Sequence, residues 1–156
     1  MKTQKQVGQI SVQEIMTENV QTLMINDTIK DALSIMVDQE LTTIPVINMD
    51  ERCVGIISRS DVTELLMEED GELTRMMDMP LSMDHLFRSL ETCDIRLVRE
   101  LMTHTVVTIQ RDQTLDEACK LMAREQIHHM PVVDVDRKLV GIISAFDVVK
   151  AVAEFE

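Results

Sequence analysis

The chain has 156 residues, 45% apolar and 28% charged, which is enough for one compact domain and too few for two large independent ones. Its 28 acidic and 15 basic residues give a net charge of −13, which argues against binding DNA or RNA by phosphate neutralisation and against docking on anionic lipid. With three Phe and no Tyr or Trp there is no aromatic platform for single strands, and 13 Met take core volume that aromatics would otherwise fill.

The N-terminal stretch, residues 1–10, reads as a polar, flexible lead without the apolar core of a signal peptide, and no run is long enough to span a membrane. At Ser11-Val12-Gln13-Glu14 a capping-box pattern opens a short helix. Val20-Gln21-Thr22-Leu23 follows as an extended segment rich in strand formers. Thr28-Ile29-Lys30-Asp31 has the form of a second capping box, and Ile29, Ala32, Leu33 and Met36 recur at helical spacing. Two apolar strands are expected around 44–48 and 53–58, with Asn48–Arg52 as their turn, and a closing helix from near Ser60.

The pattern then recurs. Shifted by 86 residues, the chain overlays itself without a gap, and 17 of the 52 positions from 15 to 66 are identical. Ile15-Met16-Thr17 falls on Leu101-Met102-Thr103, Ile44-Pro45-Val46-Ile47 on Met130-Pro131-Val132-Val133, and Val54-Gly55-Ile56-Ile57-Ser58 on Val140-Gly141-Ile142-Ile143-Ser144. Val106-Val107-Thr108-Ile109 repeats the extended segment. Thr114-Leu115-Asp116-Glu117 repeats the helix start, with Leu115, Ala118, Cys119 and Met122 at helical spacing, and the closing helix is expected from near Phe146. The fold class is therefore α/β (α+β), as two pseudo-symmetric β-α-β-β-α repeats packed sheet to sheet. Each repeat of about 52 residues would be marginal alone, so burying one against the other explains the duplication. The expected divisions are 11–66 and 97–152 for the repeats, a connector at 67–96 and a tail at 153–156.

The chemistry concentrates in Gly55-Ile56-Ile57-Ser58-Arg59-Ser60-Asp61 and its partner Gly141-Ile142-Ile143-Ser144-Ala145-Phe146-Asp147. Each is a strand ending in a hydroxyl, with a carboxylate three residues on at a helix start. A helix N-terminus favours a phosphate, and a carboxylate beside it can accept both hydroxyls of a ribose. Ser-x-x-Asp is equally a helix-capping box, so a purely structural role stands beside the ligand role.

These motifs, at this spacing in both halves, resemble a tandem pair of cystathionine-β-synthase-type (CBS) repeats, known as a Bateman module. The resemblance covers about 11–66 and 97–152. It implies a regulatory sensor that binds an adenosine-containing molecule in clefts between the repeats: AMP, ADP or ATP, with S-adenosylmethionine or NAD as further possibilities. It also implies a homodimer that signals to a protein partner. Carried over residue by residue, Asp61 and Asp147 match the ribose-binding acid, and Ser58 and Ser144 the hydroxyl near the phosphates. Thr17 and Thr103, with Gln21 and Val107, match a wall of the adenosine pocket. Leu41, Thr42 and Ile44, and Ile127, His128 and Met130, match residues framing the adenine. The family's basic residue two before the strand proline is His129 in the second copy and Thr43 in the first. Arg59 and Ser60 stand where the second copy has Ala145 and Phe146, so the two sites are not equivalent, and the Ser58–Asp61 end is expected to be the better nucleotide site. Few cationic groups serve the phosphate, which favours a monophosphate over a triphosphate. The competing reading is a structural or protein-interaction module with degenerate ligand sites.

Other features point away from chemistry. There is no Gly-x-Ser-x-Gly, Walker loop or His-Glu-x-x-His, so no catalytic residue is assigned and an enzyme is not expected. His128 and His129, adjacent on a strand, face opposite ways and do not chelate one ion together, so no metal is expected. Cys119 overlays Leu33 and Cys53 overlays Leu139, which makes both core hydrophobes; Cys93 lies in the connector. Three unpaired cysteines and no targeting segment make a reducing cytoplasm the expected location. The connector carries eight acids, three arginines and five of the methionines, with Met83, Leu86, Phe87 and Leu90 as an apolar helical stripe for packing on its own module or on a partner.

Overall fold

A computed structural model describes residues 6–69 and 96–155, with backbone only for 66–69. The connector stripe of Met83, Leu86, Phe87 and Leu90, together with Cys93, lies outside the described residues. The described elements are β1 (Leu23–Met24), α1 (Ile29–Asp38), β2 (Thr43–Ile47), β3 (Cys53–Ser58), α2 (Arg59–Glu69), α3 (Val98–Leu101), β4 (Ile109–Gln110), α4 (Leu115–Glu125), β5 (His129–Val133), β6 (Leu139–Ser144) and α5 (Ala145–Glu154). Short 3-10 turns at Val7–Gln9 and Val12–Glu14 precede them. The fold is mixed α/β with two three-stranded sheets, ordered β1-β2-β3 and β4-β5-β6.

The predicted helix starts are made by their own side chains. Thr28 Oγ1 accepts from the Asp31 N–H at 3.1 Å, while the Asp31 carboxylate accepts from the Thr28 N–H at 2.9 Å. Thr114 and Glu117 repeat the box. Predicted helix faces become core: Ile29, Ala32, Leu33 and Met36 are buried, as are Leu115, Ala118 and Met122. Met36, Met102, Met122 and Met130 fill volume in cores that hold no aromatic residue among the described residues. Cys119 is half-buried against its core, and Cys53 is also half-buried.

The extended segments are shorter than their sequence predicts. Only Leu23–Met24 and Ile109–Gln110 form strands, each parallel to the next strand in one register: Leu23 with Val46, and Ile109 with Val132. The closing helices begin one residue earlier than predicted, at Arg59 and Ala145.

The chain forms two compact units, and they do not follow the repeat boundaries. Of the described residues, one unit contains those up to Val20, Met49–Cys53 and those from Thr105 on; the other contains Gln21–Asn48 and the described residues between Val54 and His104. The opening segment of each repeat therefore joins the sheet of the other. In the first unit Val12 is fully buried in a core with Ile109, Leu115, Met130 and Ile143, and Thr17 bridges Ile142. In the second unit Val98 and Met102 enter a core with Leu23, Ile44, Val46 and Ile57, and Thr103 bridges Ile56.

This exchange explains the glycine of each Gly-Ile-Ile-Ser strand. A Cβ at Gly55 would overlap the Met102 sulfur, with Met102 Cγ at 2.9 Å. One at Gly141 would lie 2.5 Å from the Met16 sulfur and 3.0 Å from the Thr17 carbonyl oxygen. The methionine of each Met-Thr pair thus lies directly on the glycine of the strand it covers, a close approach that a side chain would block.

Candidate functional site

Both Ser-x-x-Asp turns stand where an edge strand runs directly into a helix. In the second unit, the Ser58 N–H and Oγ–H donate to Asp61 Oδ2 at 2.6 and 2.8 Å, and the Asp61 N–H donates to Ser58 Oγ at 3.3 Å. In the first unit, the Ser144 N–H and Oγ–H each donate to Asp147 Oδ2 at 2.7 Å, and the Asp147 N–H returns at 3.1 Å. The capping reading of the motif is thus realised in both copies. Among the described residues, the second carboxylate oxygen, Oδ1, takes no hydrogen bond in either.

A helix leaves four N–H groups without an intrahelical acceptor. At α2 those of Ser58 and Asp61 are used within the box, and that of Arg59 donates to the Thr42 carbonyl at 2.8 Å. At α5 those of Ser144 and Asp147 are used likewise, and that of Ala145 donates to the His128 carbonyl at 2.8 Å. Among the described residues, one donor is left without an acceptor at each end: the N–H of Ser60, or of Phe146. The serine hydroxyls have spent their single hydrogen on the carboxylates and have only acceptor capacity left.

The side chains around the two ends differ. Arg59 is exposed, donates from Nη2 to the Leu41 carbonyl at 3.2 Å, and forms no ion pair among the described residues. In the first unit, His129 lies opposite Ser144 across the β5–β6 ladder, half-buried, while His128 is exposed. Burial lowers the His129 pKa, the adjacent His128 lowers it further, and Asp147 opposes both.

The other predicted residues divide between the units. Gln21, Leu41, Thr42, Ile44 and Thr103 share the second unit with Ser58–Asp61, and Thr17, Val107, Ile127, His128, His129 and Met130 share the first with Ser144 and Asp147. Thr17 and Gln21, grouped by sequence as one wall, thus fall in different units, as do Thr103 and Val107. Ile44 and Met130 are fully buried, so their side chains belong to the cores and only their main chain is available to a ligand. The sequence reading passed over the Leu41 carbonyl as an anchor for Arg59. The 86-residue offset gives no cue to it, because the equivalent of Arg59 is Ala145. Among the described residues, no three His, Cys, Asp or Glu side chains group to hold a metal ion, and no helix is long and apolar enough to cross a membrane.

Comparison with known proteins agrees with the duplicated pattern. The CBS domain model matches residues 12–68 and 98–154. The chain belongs to the CBS domain family. It is 28% identical over 151 residues to the uncharacterized protein MJ1426 of Methanocaldococcus jannaschii, covering 90% of this chain and 89% of that one. The crystal structure of CBSX2 in complex with AMP superposes with a TM-score of 0.72 at 26% identity, covering 93% of this chain and 97% of that one; CBSX2 comes from Arabidopsis thaliana. A homoserine O-acetyltransferase of Methanococcus vannielii is 30% identical over 141 residues, but this CBS pair spans only 24% of that enzyme's length.

Proposed function

We propose that this CBS pair is a non-catalytic regulatory module that binds the adenosine part of a nucleotide at its Ser-x-x-Asp turns. The observation that carries the reading is the state of Asp61 and Asp147. Each holds its helix start with Oδ2 and keeps Oδ1 for a further donor, as a ribose hydroxyl would be. Capping and ligand binding are compatible on one carboxylate because they use different oxygens. The AMP complex of CBSX2 supports the class of ligand.

The donors left at the helix ends favour AMP over ADP or ATP. One helix-terminal N–H per end, with the Arg59 cation at the Ser58–Asp61 end alone, suits a single phosphate; a triphosphate in a chain of charge −13 would need more. Arg59 makes the Ser58–Asp61 end the stronger anion site, with Phe146 in place of Ser60 weakening the other. The reading extends to a cytoplasmic homodimer that passes ligand occupancy to a protein partner. The ligand acts only through its difference in affinity between two arrangements of the protein.

The complete capping of both turns gives a second reading, a protein-interaction module whose ligand sites are degenerate. A thermal-shift series with adenosine, AMP, ADP, ATP, S-adenosylmethionine and NAD separates the two. A ligand at about 100 times its dissociation constant adds about 2.7 kcal/mol, a rise of roughly 5–10 °C for a chain of this size. The sensor reading expects AMP to give the largest rise. A flat response to all six overturns it.

A further inference from the structure

A polar cavity of about 620 Å³ lies in the first unit, beyond the Gln110–Val133 pair that ends the parallel strands β4 and β5. The Ser144–Asp147 turn stands at the opposite end of β5, where His129 begins the strand, and the two share no residue. The carboxyl ends of parallel strands are where α/β sheets take ligands.

The charged lining is held in place but incompletely paired. Asp134 Oδ1 accepts from the N–H groups of Asp136 and Lys138 at 2.9 and 3.0 Å, which sets the β5–β6 turn and keeps Oδ2 for another donor. Glu117 is oriented by the Thr114 N–H, which donates to its Oε2 at 2.7 Å. Among the described residues, the side chains of Asp112 and Arg137 make neither a hydrogen bond nor an ion pair, although both line this cavity.

The second unit shows what the Asp112 position takes. Asn26 is its equivalent at the 86-residue offset, and there Arg99 donates from Nη1 to Asn26 Oδ1 at 2.9 Å. The equivalent of Arg99 is Gln13, which lines an adjoining hollow of about 380 Å³ with Asp112. The first unit thus has a stronger acceptor, a carboxylate, without the guanidinium that fills the same position in the second. Arg137 is also particular to this unit, because the first repeat holds Glu51 in its place.

We propose that this cavity binds a free basic α-amino acid, its side-chain cation on Asp112 and its α-carboxylate on Arg137. The α-ammonium then has Asp134 Oδ2 and Glu117 beside it. Charge selects the class. Three carboxylates and one guanidinium line the cavity, and arginine or lysine brings two cations and one carboxylate. A polyanion would meet three carboxylates, and a polyamine would leave Arg137 facing a cation. The lining side chains are exposed, so each ion pair is screened and the dissociation constant should be roughly 1 mM.

The test is a 1H–15N NMR titration of the full chain with L-arginine to 20 mM, at constant pH and chloride and without nucleotide. L-citrulline, which lacks the side-chain charge, and agmatine, which lacks the carboxylate, are the comparisons. The proposal expects saturable shifts at 110–113 and 134–138, and binding at least tenfold weaker for citrulline and agmatine. Asp112→Asn and Arg137→Gln should each weaken arginine binding at least tenfold. So should Gln13→Arg, which gives Asp112 the partner that Arg99 gives Asn26 and leaves the cavity residues intact. Far-UV circular dichroism checks that each variant is folded; for one that is not, the wild-type contrast of arginine with citrulline and agmatine decides. No saturable shift by 20 mM arginine, or shifts centred on Ser144–Asp147, overturns the proposal. Equal binding of citrulline or agmatine, or unchanged affinity in any folded variant, overturns it too.

Discussion

Substituting Gly55 by alanine tests whether the exchanged segment carrying Met102 packs on the strand of its own unit. The added Cβ would overlap the Met102 sulfur and approach its Cγ at 2.9 Å and Cε at 3.1 Å. Met102 is only 7% exposed and has little room to withdraw. Overpacking of this kind costs about 1–3 kcal/mol, and the smaller backbone entropy loss of alanine offsets only about 0.4–1 of it. Met102→Ala alone should cost about 2–5 kcal/mol, the range for emptying a buried methionine site. The double variant should be less destabilised than the sum by about 1–2 kcal/mol, because the new Cβ occupies space the sulfur has left. Urea unfolding of the four proteins measures this; with a slope near 2 kcal/mol/M, the coupling appears as a midpoint about 0.5–1 M above the additive value. Additivity within about 0.5 kcal/mol would refute the close approach of Met102 to this strand. At Gly141 the Thr17 carbonyl oxygen, 3.0 Å from the added Cβ, stays in place when Met16 is shortened, so Met16→Ala should rescue Gly141→Ala less fully.

Other expectations follow from local structure. Gln126 ends α4 in the left-handed region at φ 55° and ψ 43°, and Glu40 has φ 53°; glycine at either should stabilise by about 0.5–1 kcal/mol and raise the melting midpoint by roughly 1–4 °C. Thr28→Ala and Thr114→Ala each remove a hydroxyl that caps a helix and should cost about 1 kcal/mol by urea midpoint. Burial holds the His129 pKa below its ordinary value of 6.5, so the unfolded chain takes up this proton first. The stability tied to His129 is present above about pH 6.5 and is lost as pH falls through the folded value; His129→Gln should flatten urea midpoints between pH 7.5 and 5. Asp31 acts lower: its carboxyl is held down by the Thr28 N–H and hydroxyl, so its contribution is present above its ordinary 3.8 and lost as pH falls below that.

Much of the fold was legible because its signals are local. Thr28 with Asp31 and Thr114 with Glu117 declare helix starts by spacing alone, and Ile29, Ala32, Leu33 and Met36 declare a buried face. The exchange of opening segments was not legible, for a reason built into the duplication. Val12 and Val98 occupy equivalent positions, as do Met16 and Met102, so the sequence presents either sheet with the same plug. Periodicity identifies a residue as buried without saying in which core. The Ser-x-x-Asp motif showed a similar double meaning, as both a cap and a ligand group. The division between Oδ2 and Oδ1 depends on side-chain geometry, which spacing does not encode. Most of the first-turn donors proved to be spent, partly on the carbonyls of Thr42 and His128, tertiary contacts 17 residues back along the chain.

The central claim is that Asp61 and Asp147 each serve a helix and a nucleotide with different oxygens. Calorimetric titration of AMP into wild type, Asp61→Asn and Asp147→Asn tests it directly, because asparagine keeps one oxygen to accept from the serine and turns an NH2 toward the ribose. The account predicts saturable binding to wild type and a loss of at least tenfold for Asp61→Asn. It predicts a smaller loss for Asp147→Asn and urea midpoints within about 0.5 kcal/mol of wild type for both. No heat of binding to wild type at millimolar AMP, or unchanged affinity in both variants, would contradict it.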